Sequence, residues 1–156
     1  MNYSITFTLH LLAAVIWVGG MFFAHMILRP SAIEKLEPPQ RLPLWVAVFG
    51  RFFLWVWIAI ALLLLTGYWM IFDVFGGLLQ LKALYIQLMH LFGWVMIGIF
   101  MYIYFSPYAK LKAAVAAGNF PLGGQQINKI RLLVTANLIL GILTFIIASG
   151  GKYINL

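Results

Sequence analysis

The fold class is decided by one stretch of the sequence. Residues 48–72 read VFGRFFLWVWIAIALLLLTGYWMIF, a run in which Arg51 is the single charged side chain. The hydrocarbon core of a bilayer is about 30 Å thick, and a helix needs roughly 20 predominantly apolar residues to cross it. This run is long and apolar enough, and the sequence therefore predicts a membrane-spanning helix here.

Three other stretches meet the same criterion. They cover residues 3–28, 79–105 and 130–149, with boundaries that are approximate. Proline or glycine stands just past each apolar run, which is typical of a helix end. We therefore expect an all-α, up-down-up-down bundle of four transmembrane helices. The bundle is expected to occupy residues 1–156 as a single membrane domain.

The composition supports this class and excludes others. The chain is 65% hydrophobic and 8% charged, whereas about a quarter of the residues in a soluble globular domain are charged. The formal net charge of +7 comes from Lys and Arg between the apolar runs, so it does not indicate a nucleic-acid partner. The absence of Cys excludes disulfides and thiolate metal sites.

The basic residues also predict an orientation. Only Lys82 and Lys152 lie on the side of the termini. The other eight lie in the loops after the first and third spans or at the start of the span that follows: Arg29, Lys35, Arg41, Arg51, Lys110, Lys112, Lys129 and Arg131. Under the positive-inside rule, both termini face away from the cytoplasm of a bacterial-type inner membrane. No basic residue precedes the first span, and its length argues against a cleavable signal peptide.

The two loops on the basic side are expected to differ in structure. Pro38, Pro39 and Pro43 are expected to keep the first loop from continuing as helix. Residues 109–117 of the other loop are expected to form a short interfacial helix.

Ionisable residues inside a span are costly, so the histidines are the candidate functional residues. With about 1.5 Å of rise per residue, His10 lies roughly 28 Å and His90 roughly 24 Å above the basic ends of their parallel spans. Two imidazoles at one depth on facing helices are what a six-coordinate haem b needs, and bundle cores commonly hold such cofactors.

The residues around these histidines fit the haem hypothesis. Ala14 and Trp17 share the His10 face, and Gly93 shares the His90 face. Small residues one turn from each His would let a porphyrin edge approach the backbone. Lys82 and Lys152, on the same outer side, are candidates to pair with the haem propionates.

Two other interpretations of the same residues stay open. An intramembrane His often forms a hydrogen bond between helices, and small faces often mean close helix packing. Alternatively, imidazole and Met thioether are suitable ligands for Cu(I). His25 and Met101, near the basic side, are weaker metal candidates, and His25 is expected to extend toward the interface beside Arg29.

A resemblance to a known family appears in the first span. The segment LHLLAAVIWVGG at residues 9–20 resembles the first-helix signature of the CopD-like family, named for copper resistance protein D. Leu28-Arg29-Pro30 is similar to the close of that helix in small members. The resemblance extends to HemJ-type protoporphyrinogen oxidases, four-helix haem b proteins in which a Lys precedes a His in the third helix, as Lys82 precedes His90.

The expected function is haem b-dependent electron transfer in the membrane, with a quinone or another redox protein as partner. Copper transport or resistance through His and Met ligands is the first alternative. A protoporphyrinogen oxidase-like haem enzyme and a structural membrane subunit are the others. The bilayer surrounds the protein in every case, and a homodimer is one arrangement for so small a bundle.

Overall fold

The computed structural model describes residues 2–77 and 83–151. In these two ranges the chain forms six α-helices and no strand. The helices are α1 (Tyr3–Phe23), α2 (Arg29–Lys35), α3 (Pro38–Asp73), α4 (Leu84–Phe105), α5 (Pro107–Ala116) and α6 (Phe120–Gly150). A π-helical turn, Ala24–Leu28, joins α1 to α2.

Four helical runs are long and apolar enough to cross a membrane, as the sequence predicts. They are Tyr3–Lys35, Pro38–Asp73, Leu84–Ala116 and Phe120–Gly150. The all-α four-span fold class is confirmed. Lys82 and Lys152, predicted to pair with haem propionates, lie outside the described residues.

The helices pack as two main pairs. The largest helix–helix interfaces join α1 to α3 and α4 to α6, and α6 also touches both α1 and α3. Aromatic side chains fill the space between the pairs. Phe100 of α4 meets Phe53 and Trp57 of α3 edge to face, with ring centroids 5.4 and 5.2 Å apart. Trp17 of α1 meets the same ring at 6.2 Å.

The first helical run does not end at Pro30, where the sequence predicts a stop. It continues to Lys35 through the π-turn, in which the Arg29 N–H bonds to the Ala24 carbonyl. Proline lacks an N–H, and in a regular helix its ring collides with the carbonyl four residues earlier. The wider turn changes the spacing just ahead of Pro30, so that the residue stands in the first turn of α2.

The helix does break before the prolines, but only at Leu36 and Glu37, so most of the first loop is helical, contrary to the expectation. Pro38 and Pro39 form the first turn of α3, where backbone N–H groups have no partner inside the helix anyway. Pro43 lies inside the helix and costs one backbone hydrogen bond near its start. The short helix predicted after the third span is confirmed as α5.

Candidate functional site

The His10 imidazole lies half-buried against α3. It shares the inward stripe of α1 with the buried residues Thr6, Ala13 and Trp17. Its Nδ1 atom is 2.8 Å from the hydroxyl oxygen of Thr66. The ring approaches α3 closely because the next residue is Gly67, where an added Cβ would stand 3.2 Å from the His10 Cε1 atom.

The hydrogen bonds around Thr66 favour one tautomer of neutral His10. The single Thr66 hydroxyl hydrogen is donated to the Leu62 carbonyl one turn earlier. With that hydrogen engaged, the Thr66 oxygen accepts from His10 in the tautomer whose hydrogen lies on Nδ1. The Nε2 atom of neutral His10 then keeps its lone pair. A metal-binding His typically has this arrangement, in which the other ring N–H is donated to an orienting group.

His90 is placed differently. Its ring meets the Tyr68 ring edge to face, with 5.6 Å between centroids. The indole N–H of Trp94 donates to His90 Nε2 at 3.0 Å, so this lone pair is already engaged. In the neutral ring the hydrogen must then lie on Nδ1. As arranged, His90 offers a hydrogen-bond donor and no free ring nitrogen for a metal.

The two rings contact neighbouring residues of one helix. His10 touches Thr66 and Gly67, and His90 touches Tyr68, so both imidazoles lie at nearly the same level along α3. Successive residues turn by about 100° around a helix, so Thr66 and Tyr68 point in directions about 160° apart. The two histidines therefore flank α3 instead of facing each other across an open gap.

The three residues predicted to surround a porphyrin have different surroundings in the structure. Ala14 is half-buried one turn from His10, whereas Trp17 is buried against Phe100 in the aromatic core. Open space lies beside Gly93, where an added Cβ would meet no atom within 4 Å. The place of these three residues around a porphyrin stays a prediction.

His25 lies at the other end of the bundle. It lines a small cleft together with Arg29 and Arg131. Met101 is 42% exposed and is not part of that lining. Among the described residues, moreover, no group of three or more His, Asp or Glu side chains is arranged to hold a metal ion. The weaker metal role of His25 and Met101 stays a prediction.

One buried thioether near the His10 level was missed by the sequence reasoning. Met70 is 9% exposed and lies one turn beyond Thr66 on the same face of α3. Long helical side chains lean toward the N-terminus of their own helix, which directs Met70 back toward the level of Thr66. The four-residue spacing from Thr66 is the sequence signal, but it has meaning only once Thr66 is known to contact His10.

The profile of the family described as copper resistance protein D, CopD, matches residues 46–150. This segment is more than half of the 156-residue chain. The chain belongs to the CopD family. A search of curated proteins and of solved structures finds no match.

The matched segment of this CopD-family protein contains Thr66, Gly67, Met70 and His90. His10 and the segment at residues 9–20, which carries the resemblance in the sequence, lie outside it. CopD membership, and with it a link to copper resistance, therefore rests on the last three spans. The relationship to HemJ-type oxidases stays a prediction.

Proposed function

We propose that this CopD-family membrane protein acts in copper resistance by binding copper inside the bundle, with His10 Nε2 as one ligand. The proposal rests on the hydrogen bond from His10 Nδ1 to Thr66. This bond orients the ring and leaves the lone pair of Nε2 available to a metal. Family membership supports copper as the ion that is handled. Imidazole nitrogen is a suitable ligand for this metal.

Met70 is the thioether that we propose as a second ligand. It is buried, shares the α3 face of Thr66 and leans toward the level of His10. Imidazole together with a thioether and no carboxylate favours Cu(I) over harder divalent ions. An uncharged donor pair also suits a site enclosed by apolar helices, where burial of a carboxylate would be costly.

Haem b, ligated by His10 and His90, is the second candidate, with electron transfer as its function. The observation that favours it is the common level of the two rings on α3. The residues as placed do not fit an axial pair, because the rings flank α3 and Trp94 occupies His90 Nε2. No reaction step is therefore derived through haem.

The test is metal analysis of the protein purified in mild detergent. Its Cu(I) affinity is measured by competition with a chromophoric chelator. We expect His10→Ala and Met70→Leu each to weaken Cu(I) binding by roughly tenfold or more. Met96→Leu is the matched control, because Met96 is also buried but packs beside Gly141 at another level of the bundle.

Three results would contradict the proposal in whole or in part. Unchanged copper affinity in His10→Ala would remove His10 as a ligand. A reduced b-type absorbance spectrum that disappears in both His10→Ala and His90→Ala would replace copper binding with the haem candidate. Equal losses in Met70→Leu and Met96→Leu would indicate a packing effect and would remove Met70 from the site.

A further inference from the structure

A cleft lined by cationic side chains lies at the end of the bundle opposite His10. We call it the basic cleft; it is lined by His25, Arg29 and Arg131, with Trp45, Phe49 and Ile130 among its apolar residues. Trp45 and Thr66 are 21 residues apart on α3, which corresponds to about 31 Å along the helix. The basic cleft is therefore separate from the proposed copper site.

Two helical segments bring the arginines together. Arg29 follows the π-turn in the first helical run, and Arg131 is the twelfth residue of α6. Both side chains are half-buried, whereas Arg51 at the same end is exposed. His25 stands one turn before Arg29 and lines the same cleft. Two guanidinium groups and one imidazole, which becomes cationic when protonated, thus converge from two helical runs.

No carboxylate neutralises this cluster in the part of the chain that the structure describes. The one ion pair there joins Glu34 to Lys35, at 2.6 Å. Neither guanidinium group of the basic cleft has a hydrogen-bond partner among the same residues, although the backbones of both arginines are hydrogen-bonded. Half-buried cations without a counter-charge are unfavourable, and an anion bound between them would remove both the repulsion and the unmet hydrogen-bonding capacity.

We propose that the basic cleft binds the phosphate group of an anionic membrane phospholipid. Two guanidinium groups match phosphate oxygens in charge and in donor geometry. The remaining lining is largely apolar, as acyl chains beside a headgroup require. The cleft is small and partly open, with about 30 Å³ of space for groups the size of a water molecule.

The membrane position of the cleft also favours a lipid. Two helical runs long and apolar enough to cross a membrane, Tyr3–Lys35 and Phe120–Gly150, supply its cationic side chains. Arg29 and Arg131 lie close to the ends of their apolar stretches, where headgroups are found. Basic pockets between transmembrane helices bind anionic headgroups in this way.

The experiment compares lipids by thermal unfolding of the full chain in neutral detergent. Phosphatidylglycerol, phosphatidylcholine and inorganic phosphate are titrated separately. We expect phosphatidylglycerol alone to raise the Tm. Arg29→Gln and Arg131→Gln are expected to weaken the apparent affinity for it by roughly 10- to 100-fold, the loss of one charge-assisted contact. Arg51→Gln, which removes an exposed charge at the same end, is the matched control and is expected to behave as wild type.

Each outcome decides the proposal. An equal loss in Arg51→Gln would show general surface attraction and overturn it. A shift with inorganic phosphate equal to that with phosphatidylglycerol would identify a free-anion site instead of a lipid site. A Tm that no lipid raises would also refute it. Should the Gln variants fail to fold, Arg131→Lys keeps the charge without the planar fork, and native mass spectrometry should then show weakened retention of phosphatidylglycerol.

Discussion

Replacement of Thr66 by Val tests the orientation of His10 most directly. Valine keeps the branched shape of Thr66 in a position that is only 2% exposed, but it cannot accept the hydrogen bond that His10 Nδ1 donates at 2.8 Å. A buried donor left without its partner costs about 1–3 kcal/mol. The Leu62 carbonyl loses the threonine hydroxyl but keeps its place in the backbone ladder, so it adds little to this cost.

The larger effect is expected on copper. Loss of a group that orients a metal-binding His typically costs about 10- to 100-fold in metal affinity, and we expect a loss in this range for Thr66→Val. Thr66→Ser retains the hydroxyl and should recover most of the affinity. Chelator competition for Cu(I) measures both variants, and thermal unfolding measures the accompanying change in stability.

The matched control for this prediction is Thr144→Val. The Thr144 hydroxyl makes the same type of bond to the carbonyl one turn earlier, that of Leu140 at 2.8 Å, but has no His partner. We expect its copper affinity to be that of wild type and its stability to change by no more than about 0.5 kcal/mol. The reasoning is refuted if Thr66→Val binds Cu(I) as tightly as wild type, or if Thr144→Val loses as much.

Two further predictions concern the faces of the histidines. Gly67→Ala puts a Cβ 3.2 Å from His10 Cε1, so the ring must shift and Cu(I) affinity should fall. Its control is Gly98→Ala, whose added Cβ meets no atom within 4 Å. This control should leave the Cu(I) affinity unchanged and should stabilise the helix by up to about 1 kcal/mol in thermal unfolding. Trp94→Phe frees His90 Nε2 from its indole donor, and chelator competition should find Cu(I) affinity unchanged; a clear gain would show that His90 is a ligand.

The four spans were predictable because a long apolar run has few alternatives to a transmembrane helix. The C-terminal ends of the last three spans were also predicted to within one residue, at Asp73, Phe105 and Gly150, but the course of the chain after the first span was not. Pro38 and Pro39 read as breakers in the sequence, yet they are compatible with the first turn of α3, where no intrahelical N–H bond is lost. The effect of Pro30 was also misjudged, since a π-turn at Ala24–Leu28 lets the helical run continue.

In the candidate site, too, the local geometry of each helix was predictable from the sequence, whereas the packing between helices was not. The level of His10 and His90 follows from the rise per residue, which is nearly constant in a helix. Their direction depends on which helix each one packs against. Because α1 packs chiefly on α3 and α4 on α6, the two rings contact α3 at different sides. Spacing in the sequence contains no information about that pairing.

Segment 66–70 of α3 connects the family assignment to the proposed site. It lies inside the CopD match and provides the acceptor for His10, the close approach at Gly67 and the Met70 thioether. His10 itself lies outside the match, so the family assignment and the proposed ligand stand on separate observations. If His10→Ala retained copper, membership of the CopD family would still hold. The donors would then have to be sought within residues 46–150, where His90 is the one histidine.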